Sequence, residues 1–528
     1  MSSIINIGLL ERKGGEYLLA VQIPKVQELI DKIRILEGRK WDPENMRWTV
    51  PIAHLKRLKE IFPTAIYSEG IAKLEENTIL KQKHLSEEFK QLTNGLDLTQ
   101  PLKNGKILFQ HQKESVLRLL KFKRQILALD MGLGKTLTSL VAAKILTQQY
   151  GWTIKIIVPV SLAENWDREA QSLGISKMMY SIHSWSKIPD PGIKEFILIA
   201  DESHYAQAGN KSQRGKAFLE LANSAFCRAM FALTGTPMKN GRPINLLPLL
   251  VAAKHELSKD VRYFHIRYCN ARPSRFSRWD TTGAAHLDEL AIKVKDVMIR
   301  KTKSECLDLP EKLRVIRKAE LSKESEKLYK DTLAELKRKY EERISRGDIV
   351  GGGEALVMLG QLAHAGALGK VETAIELAEE VLEEGNQVVI FCTYTKPLNM
   401  LYERFREKNI STELLIGDTK DRQQLVDRFL AKKSKVFLLS MAGGVGIDLY
   451  TATTIILINR PWTPGDAAQI EDRLHRIGQK NNVTAVWLQY GEIDERVDEI
   501  LQAKTHNIDR VLEGGKINSF AKNYLNGI

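Results

Sequence analysis

The stretch LALDMGLGKTLTSL (127–140) decides the fold. It passes from an apolar segment through a glycine-rich turn into a helical pattern. Gly132 and Gly134 permit a tight turn around a phosphate, because a residue without Cβ takes up left-handed conformations at little cost. The helix that follows offers unpaired amides and the positive end of its dipole to an anion. Lys135 can then reach the β- and γ-phosphates, and Thr136 can place a hydroxyl on Mg²⁺. The general pattern has a glycine six residues before the lysine, where this chain has Leu129. On spacing alone the match is incomplete, and a plain glycine-rich turn opening a helix competes with it.

One short apolar run leads into this segment and others follow it along the chain. They are QILAL (125–129), KIIVPV (155–160), FILIA (196–200), FALTG (231–235), QVVIFC (387–392), KVFLLS (435–440), TIILI (454–458) and TAVWLQY (484–490). Helical patterns separate them, which predicts α/β architecture with parallel sheets. The runs form two groups with a mainly helical stretch, about 240–380, between them. GDIVGGGEA (347–355) is the glycine cluster suited to a hinge.

Two further segments carry chemistry. FILIADESH (196–204) is a buried strand ending in two acids. Asp201 is placed to hold Mg²⁺, and Glu202 to orient and deprotonate an attacking water. The bland alternative, a solvated acidic loop, weakens because the Lys135–Thr136 turn lies upstream. QIEDRLHRIGQ (469–479) supplies Arg473 and Arg476, three apart and expected on one helix face. Arginine suits phosphate because its planar fork grips two oxygens.

Composition bounds the rest. The 528 residues carry 79 basic and 65 acidic side chains, a net charge of +14, and are 43% hydrophobic and 27% charged. This is globular composition, enough for two to four domains of roughly 100–200 residues. The basic surplus permits a polyanionic partner. No run approaches the roughly 18 apolar residues of a membrane span. The opening MSSIINIGLL lacks a signal-peptide pattern, so no secretion and no membrane association are expected. Cys227, Cys269, Cys306 and Cys392 form no CxxC pair, which excludes a zinc ribbon and argues against a disulfide framework.

The first 68 residues read as a small α+β module. EYLLAVQI (16–23) alternates as a strand, VQELIDKIRIL (26–36) has helical spacing, and GRKWDPENMRWTVPI (38–52) reads as a hairpin with a tryptophan on each arm. HLKRLKEIF (54–62) is a helix stopped by Pro63. Residues 69–105 form a connector, helical and then loop-like. Further on, VRYFHIRYCNARPSRFSRWD (261–280) interleaves five arginines with aromatics, a composition that grips and stacks on nucleic acid. The alternative is a loop whose aromatics pack inward and whose arginines face solvent.

The ordered set LFQHQKESV (108–116), DMGLGKT (130–136), VPVSLAENW (158–166), DESH (201–204), LTGTP (233–237), VVIFCTYT (388–395), MAGGVGIDL (441–449) and QIEDRLHRIGQ (469–479) resembles the Swi/Snf-type DNA translocases of helicase superfamily 2, over roughly residues 105–500. RYC…WDTTGAAHLDEL (267–290) and VMIRKTKSECLDLPEKLRV (297–315) resemble the annealing-helicase branch, and the N-terminal pattern resembles its HepA-related (HARP) domain. The resemblance implies two RecA-like lobes, 106–310 and 311–528, with helical insertions near 240–300 and 320–365. It implies ATP and Mg²⁺ as cofactors. Gln112 matches an adenine-reading glutamine. Gly132, Gly134, Lys135, Thr136, Gly446 and Asp448 match nucleotide contacts, and Gly444 lies in the same loop as the last two. Thr136 and Asp201 match metal positions, and Lys135, Asp201, Glu202, Arg473 and Arg476 catalytic ones. Thr234, Thr236 and Gln469 match coupling positions. DNA contacts are expected from Ser161, Asn165, Thr393 and Thr395, from Arg39, Lys40 and Arg47 in the module, and from Arg272 and Arg275. Trp166 and Trp462 are divided between strand contact and core packing.

The implied function is ATP-dependent translocation on forked or branched DNA, rewinding strands or remodelling replication forks in repair or replication. The alternative is a duplex translocase that displaces bound proteins, such as RNA polymerase or nucleosomes. An inactive nucleic-acid-binding scaffold is disfavoured by the complete set of catalytic residues. DNA is the expected partner, a monomer the expected state, and the cytoplasm or nucleoid, or the nucleus in a eukaryote, the expected location.

Overall fold

The computed structural model describes residues 4–12, 16–36, 38–238, 241–273, 279–345, 352–417, 419, 421–444 and 446–512. The chain divides into two compact units, Met1–Lys301 with His506–Ile528, and Thr302–Thr505.

The first unit holds two sheets. The N-terminal one comprises β1 (Asn6–Arg12), β2 (Glu16–Gln22), β3 (Lys40–Asp42), β4 (Arg47–Pro51) and β5 (Ile66–Tyr67), in the order β3-β4-β2-β1-β5. Helices Gln27–Arg34 and Leu55–Ile61 close its core around Ile7, Leu19, Val21, Ile33, Val50, Leu58 and Phe62. The predicted hairpin forms, with Trp41 opposite Trp48. β1 escaped the sequence reading, and so did the two-residue β5. Neither tryptophan of the hairpin fills this core. Trp48 packs at the core's margin, while Trp41 is 44% exposed and meets Trp48 edge-on at 5.2 Å. Aliphatic side chains fill the interior instead. The expected connector begins as the long helix Glu69–Thr93, whose Glu88 accepts from Tyr150 Oη at 2.8 Å.

The second sheet comprises β6 (Arg124–Leu129), β7 (Thr153–Val158), β8 (Tyr180–Ser184), β9 (Phe196–Ala200), β10 (Cys227–Leu233) and β11 (Met298–Lys301). Its order is β11-β6-β10-β9-β7-β8, and every pairing is parallel. The other unit holds β12 (Lys312–Lys318), β13 (Val388–Phe391), β14 (Thr412–Leu415), β15 (Val436–Leu439), β16 (Thr454–Leu457) and β17 (Val483–Gln489). These are ordered β12-β17-β16-β13-β15-β14, again all parallel. Inner strands buried on both faces need continuous apolar runs, and FILIA of β9 is buried at every position.

The stretch 240–380 is not simply helical. It contributes β11 to the first parallel sheet and β12 to the second. β12 (KLRVIRK) alternates between half-buried and exposed positions as far as Arg317, as suits an edge strand with one wet face. Of the glycine cluster 347–355, residues 347–351 lie outside the described residues, and Gly352 opens helix Gly352–Gly369. Among the described residues no helix is long and apolar enough to cross a membrane.

Candidate nucleotide and nucleic-acid sites

In the first unit, four inner strands carry four motifs to one sheet edge. β6 leads into the phosphate loop, β10 into Thr234–Pro237, β9 into Asp201–Glu202, and β7 into Ser161. Gly132 (φ 84°) and Gly134 (φ 76°) both sit in the left-handed region, as their loop role requires. A Cβ on Gly134 would also collide with Gln112 Nε2. Helix Lys135–Tyr150 begins at Gly134 with no side-chain cap and no acid in its first turn, so its dipole is unopposed. Lys135 Nζ donates to Leu129 O at 2.8 Å and Asp130 O at 3.3 Å, which holds the ammonium across the mouth of the loop. Thr136 stands half-buried in the first turn.

Gln112 is placed differently from an open base-reading group. It is 3% exposed, accepts from Phe109 N at 3.0 Å, and donates to Leu133 O at 3.2 Å. His111 Nε2 lies 3.1 Å from the same carbonyl. Here the carboxamide tethers the phosphate loop to helix Gln110–Phe122.

Asp201 and Glu202 are buried side by side. Asp201 continues the β7 pairing through its N–H to Ile157 O at 2.8 Å. Its carboxylate accepts from Trp166 Nε1 at 3.0 Å and from Glu202 N at 2.9 Å, and its carbonyl accepts from Trp185 Nε1 at 2.8 Å. Burial and then the neighbouring Glu202 carboxylate raise the Asp201 pKa, against the opposing pull of Trp166 and Lys135. Two acids held this close in a dry site repel each other, and a bound cation would relieve that repulsion. The buried Glu202 carboxylate, the Ser203 hydroxyl and the Thr136 hydroxyl are the chemistry a Mg²⁺–triphosphate fits. His204 Nδ1 lies 3.2 Å from Glu202 Oε2. Gln207 donates to Thr236 O and Pro237 O at 3.3 and 3.0 Å, joining the acidic segment to the threonine motif. Thr234 is fully buried and accepts from Thr236 N at 3.0 Å.

In the other unit the same logic recurs. Thr393 follows β13, the loop to Asp448 follows β15, and Asn459 follows β16. Thr393 and Thr395 are exposed. Asn459, unremarked in the sequence, accepts from Thr393 N and donates to Thr393 Oγ1, both at 2.9 Å. Gly446 (φ 80°) turns the loop, and Gln469 and Trp462 are half-buried.

The two arginines do not share a helix face. Helix Pro464–Glu471 ends before them. Arg473 is 4% exposed and donates to Ile447 O at 3.2 Å, while Arg476 forms an ion pair with Asp448 and donates to Asp472 O at 2.8 Å. The helix stops where two buried acids meet cations from another segment. Glu471 takes Arg314 at 2.8 Å and Lys312 at 3.2 Å, and Asp472 takes Lys303 at 3.0 Å and Lys312 at 3.1 Å. Burial pushes the Glu471 carboxyl up, but the adjacent Arg314 and Lys312 hold it below its ordinary value. Trp487 Nε1 donates to Glu471 Oε1 at 2.9 Å, and the Arg314 guanidinium lies 4.0 Å from the Trp487 ring centre. This network fixes the turn that carries both arginines.

The expected DNA-contact residues are scattered. Ser161 is exposed and Asn165 half-buried. Lys40 is exposed, Arg39 donates to Leu36 O at 3.0 Å, and Arg47 pairs with Asp42 at 3.0 Å. In the basic stretch, Tyr263, Phe264 and Tyr268 are buried and Arg267 is bound to Glu289. Inward packing therefore holds for its helical half, Val261–Tyr268. Arg272 is exposed, its backbone paired with that of Asp280, and Arg275 lies outside the described residues.

A model described as the SNF2-related domain matches residues 111–187 and 186–362, and one described as the helicase conserved C-terminal domain matches 369–478. The chain thus carries an SNF2-related domain followed by a helicase conserved C-terminal domain. The SNF2-related chain is 24% identical over 522 residues to the SWI/SNF-related matrix-associated actin-dependent regulator of chromatin subfamily A-like protein 1 of Xenopus tropicalis, covering 90% of this chain and 53% of that protein. It is 27% identical over 475 residues to the human DNA annealing helicase and endonuclease ZRANB3, covering 82% and 43%. The Caenorhabditis elegans homolog of the first is 27% identical over 515 residues, covering 90% and 71%. The SNF2-related chain thus spans about half the length of the first two relatives. Among solved structures, the Sulfolobus solfataricus SWI2/SNF2 ATPase core in complex with dsDNA aligns at 21% identity and a TM-score of 0.36, covering 80% of this chain and 98% of that one.

The buried network gives a stability prediction. Glu471→Ala leaves Arg314 without its buried counter-charge and Lys312 with Asp472 alone, and should cost about 3–5 kcal/mol. Glu342→Ala, which breaks an exposed helical pair with Arg338, should leave the urea midpoint nearly unchanged. Equal midpoints for the two variants would contradict the assignment.

Proposed function

We propose that this SNF2-related chain is an ATP-hydrolysing DNA translocase that acts on forked or branched DNA and rewinds strands. The observation that carries the motor is the convergence of Lys135, Thr136, Asp201 and Glu202 at the same ends of β6 and β9, the two parallel strands that flank β10. With Mg²⁺–ATP bound, the metal neutralises phosphate charge. Thr136 and Asp201 would hold that metal, and Lys135 would leave its backbone acceptors for phosphate oxygens. Glu202 would orient the attacking water and accept its proton. Gln112 would exchange its Leu133 partner for the adenine edge. Arg476 would give up Asp448 for phosphate, with Arg473 supporting the turn from below.

The fork preference rests on the N-terminal module and on the relatives named as annealing helicases. The edge strand β3 exposes a cation at Lys40 and a ring at Trp41, chemistries suited to the backbone and bases of unpaired nucleotides. Contacts by Ser161, Asn165, Thr393 and Thr395 would go to phosphate and sugar and so be independent of sequence. Relatives with chromatin-remodelling names support a second reading, displacement of bound proteins from duplex DNA.

Steady-state ATP hydrolysis at one fixed salt concentration, with no DNA, single strand, linear duplex or forked duplex, separates these readings. The fork should stimulate most, and Lys40→Ala with Trp41→Ala should remove the fork's advantage over linear duplex. Equal stimulation by fork and linear duplex would favour displacement, and no stimulation by any DNA would end both readings. Lys135→Ala should abolish hydrolysis while duplex binding, read by fluorescence anisotropy, persists.

A further inference from the structure

Helix Ala163–Ser172 has two unlike faces. Asn165, Arg168, Glu169 and Ser172 recur at helical spacing and, with Asn104 and Lys106, line a polar surface notch of about 370 Å³. Trp166 and Ala170, and Leu173 at the helix end, lie on the other face and are buried. Asn165 on the wet face and Trp166 on the dry face are consecutive. The outer face belongs to the segment proposed to meet a DNA strand, whereas the inner face ends on the proposed metal carboxylate.

The inner contact is specific. Trp166 is 2% exposed, so packing fixes where its indole N–H sits, and that N–H donates to Asp201 Oδ2 at 3.0 Å. An indole only donates, so it favours the ionised carboxylate. Trp185 grips the same residue from elsewhere, through the backbone carbonyl rather than the carboxylate. Oδ2 of the Asp201 carboxylate therefore follows helix Ala163–Ser172, while Oδ1 is held by Glu202 N at 2.9 Å. That helix is itself tied to β8 through Asp167, which accepts from Tyr180 Oη at 2.6 Å.

We infer that Trp166 is a positioning residue that couples nucleic-acid binding to the nucleotide site. A strand gripped by Asn165 and Arg168 moves a ten-residue helix as one body, and the indole transmits that movement to the Asp201 carboxylate. Linkage makes the effect mutual: the Mg²⁺–nucleotide must change DNA affinity by the same factor by which DNA changes nucleotide affinity. The inference rests on the translocase reading above and adds the physical connection between its two ligands.

The test is binding, not turnover. Affinity of the full chain for a fluorescent linear duplex is measured by anisotropy, without nucleotide and with Mg²⁺–ADP–beryllium fluoride. In the wild type the two affinities should differ by at least about fivefold, within the usual range of coupling between sites. In Trp166→Phe the ratio should fall to near one, with nucleotide-free affinity within about twofold of wild type. Trp185→Phe, which also deletes an indole donor to Asp201 but leaves helix Ala163–Ser172 untouched, should keep the wild-type ratio. Retention of the ratio in Trp166→Phe, or equal loss in both variants, overturns the inference while leaving the translocase reading standing. A wild type that binds no duplex, or binds it identically in both states, removes that reading and the inference with it. Urea unfolding verifies that each variant folds, and should Trp166→Phe fail, Trp166→Tyr is read in the same way.

Discussion

Parallel pairing is the constraint on which the rest of the structure depends. When β6, β10, β9 and β7 run the same way, their carboxyl ends must share one edge, and whatever follows each strand is delivered there. A glycine-rich loop, a threonine pair, two acids and the segment after β7, far apart in sequence, become neighbours with no long-range design beyond register. The second unit repeats the arrangement with β16, β13 and β15. The loops add precision by side-chain-to-backbone hydrogen bonds, such as those between Gln207 and Thr236 and between Asn459 and Thr393.

This constraint also explains what could be read from the chain. The eight apolar runs found in the sequence are the eight inner strands of the two parallel sheets. The four motor strands that escaped, β8, β11, β12 and β14, are the four edges. An inner strand is dry on both faces and reads as VVIF or FILIA. An edge strand has solvent beside it and reads as KLRVIRK or MIRK, indistinguishable by composition from an exposed helix or loop. The nucleotide residues were legible for a different reason: phosphate and Mg²⁺ chemistry restricts residue type and spacing together. Trp166 was divided between strand contact and core, and the structure gives it a core position with a polar duty that only three dimensions reveal. Asn459 carried no signal at all, since one asparagine after a strand is ordinary. The expected helix through Arg473 and Arg476 failed because spacing says nothing of buried partners: Lys303, Lys312 and Arg314 draw in Glu471 and Asp472 and end the helix there.

Much of the candidate machinery is occupied by protein groups. Lys135 rests on backbone carbonyls, Gln112 on the phosphate loop, and Arg476 on Asp448. Each partnership satisfies a polar group that burial would otherwise penalise, and each uses an acceptor or donor that a nucleotide could replace. Binding in such a site is an exchange of hydrogen bonds, so its net strength depends on differences between partners rather than on their sum.

Glu202 illustrates what such a site asks of the chain that bears it. Its φ of 50° puts a side-chain-bearing residue where glycine is more comfortable, at a cost of order 1–3 kcal/mol. Glycine there would relax the backbone and delete the carboxylate. Selection for stability and selection for turnover therefore pull this position in opposite directions. A thermostabilised version of the protein should gain its margin elsewhere, in the aliphatic interior of the N-terminal module or along the exposed edges of the sheets, and leave the strained acid as it is.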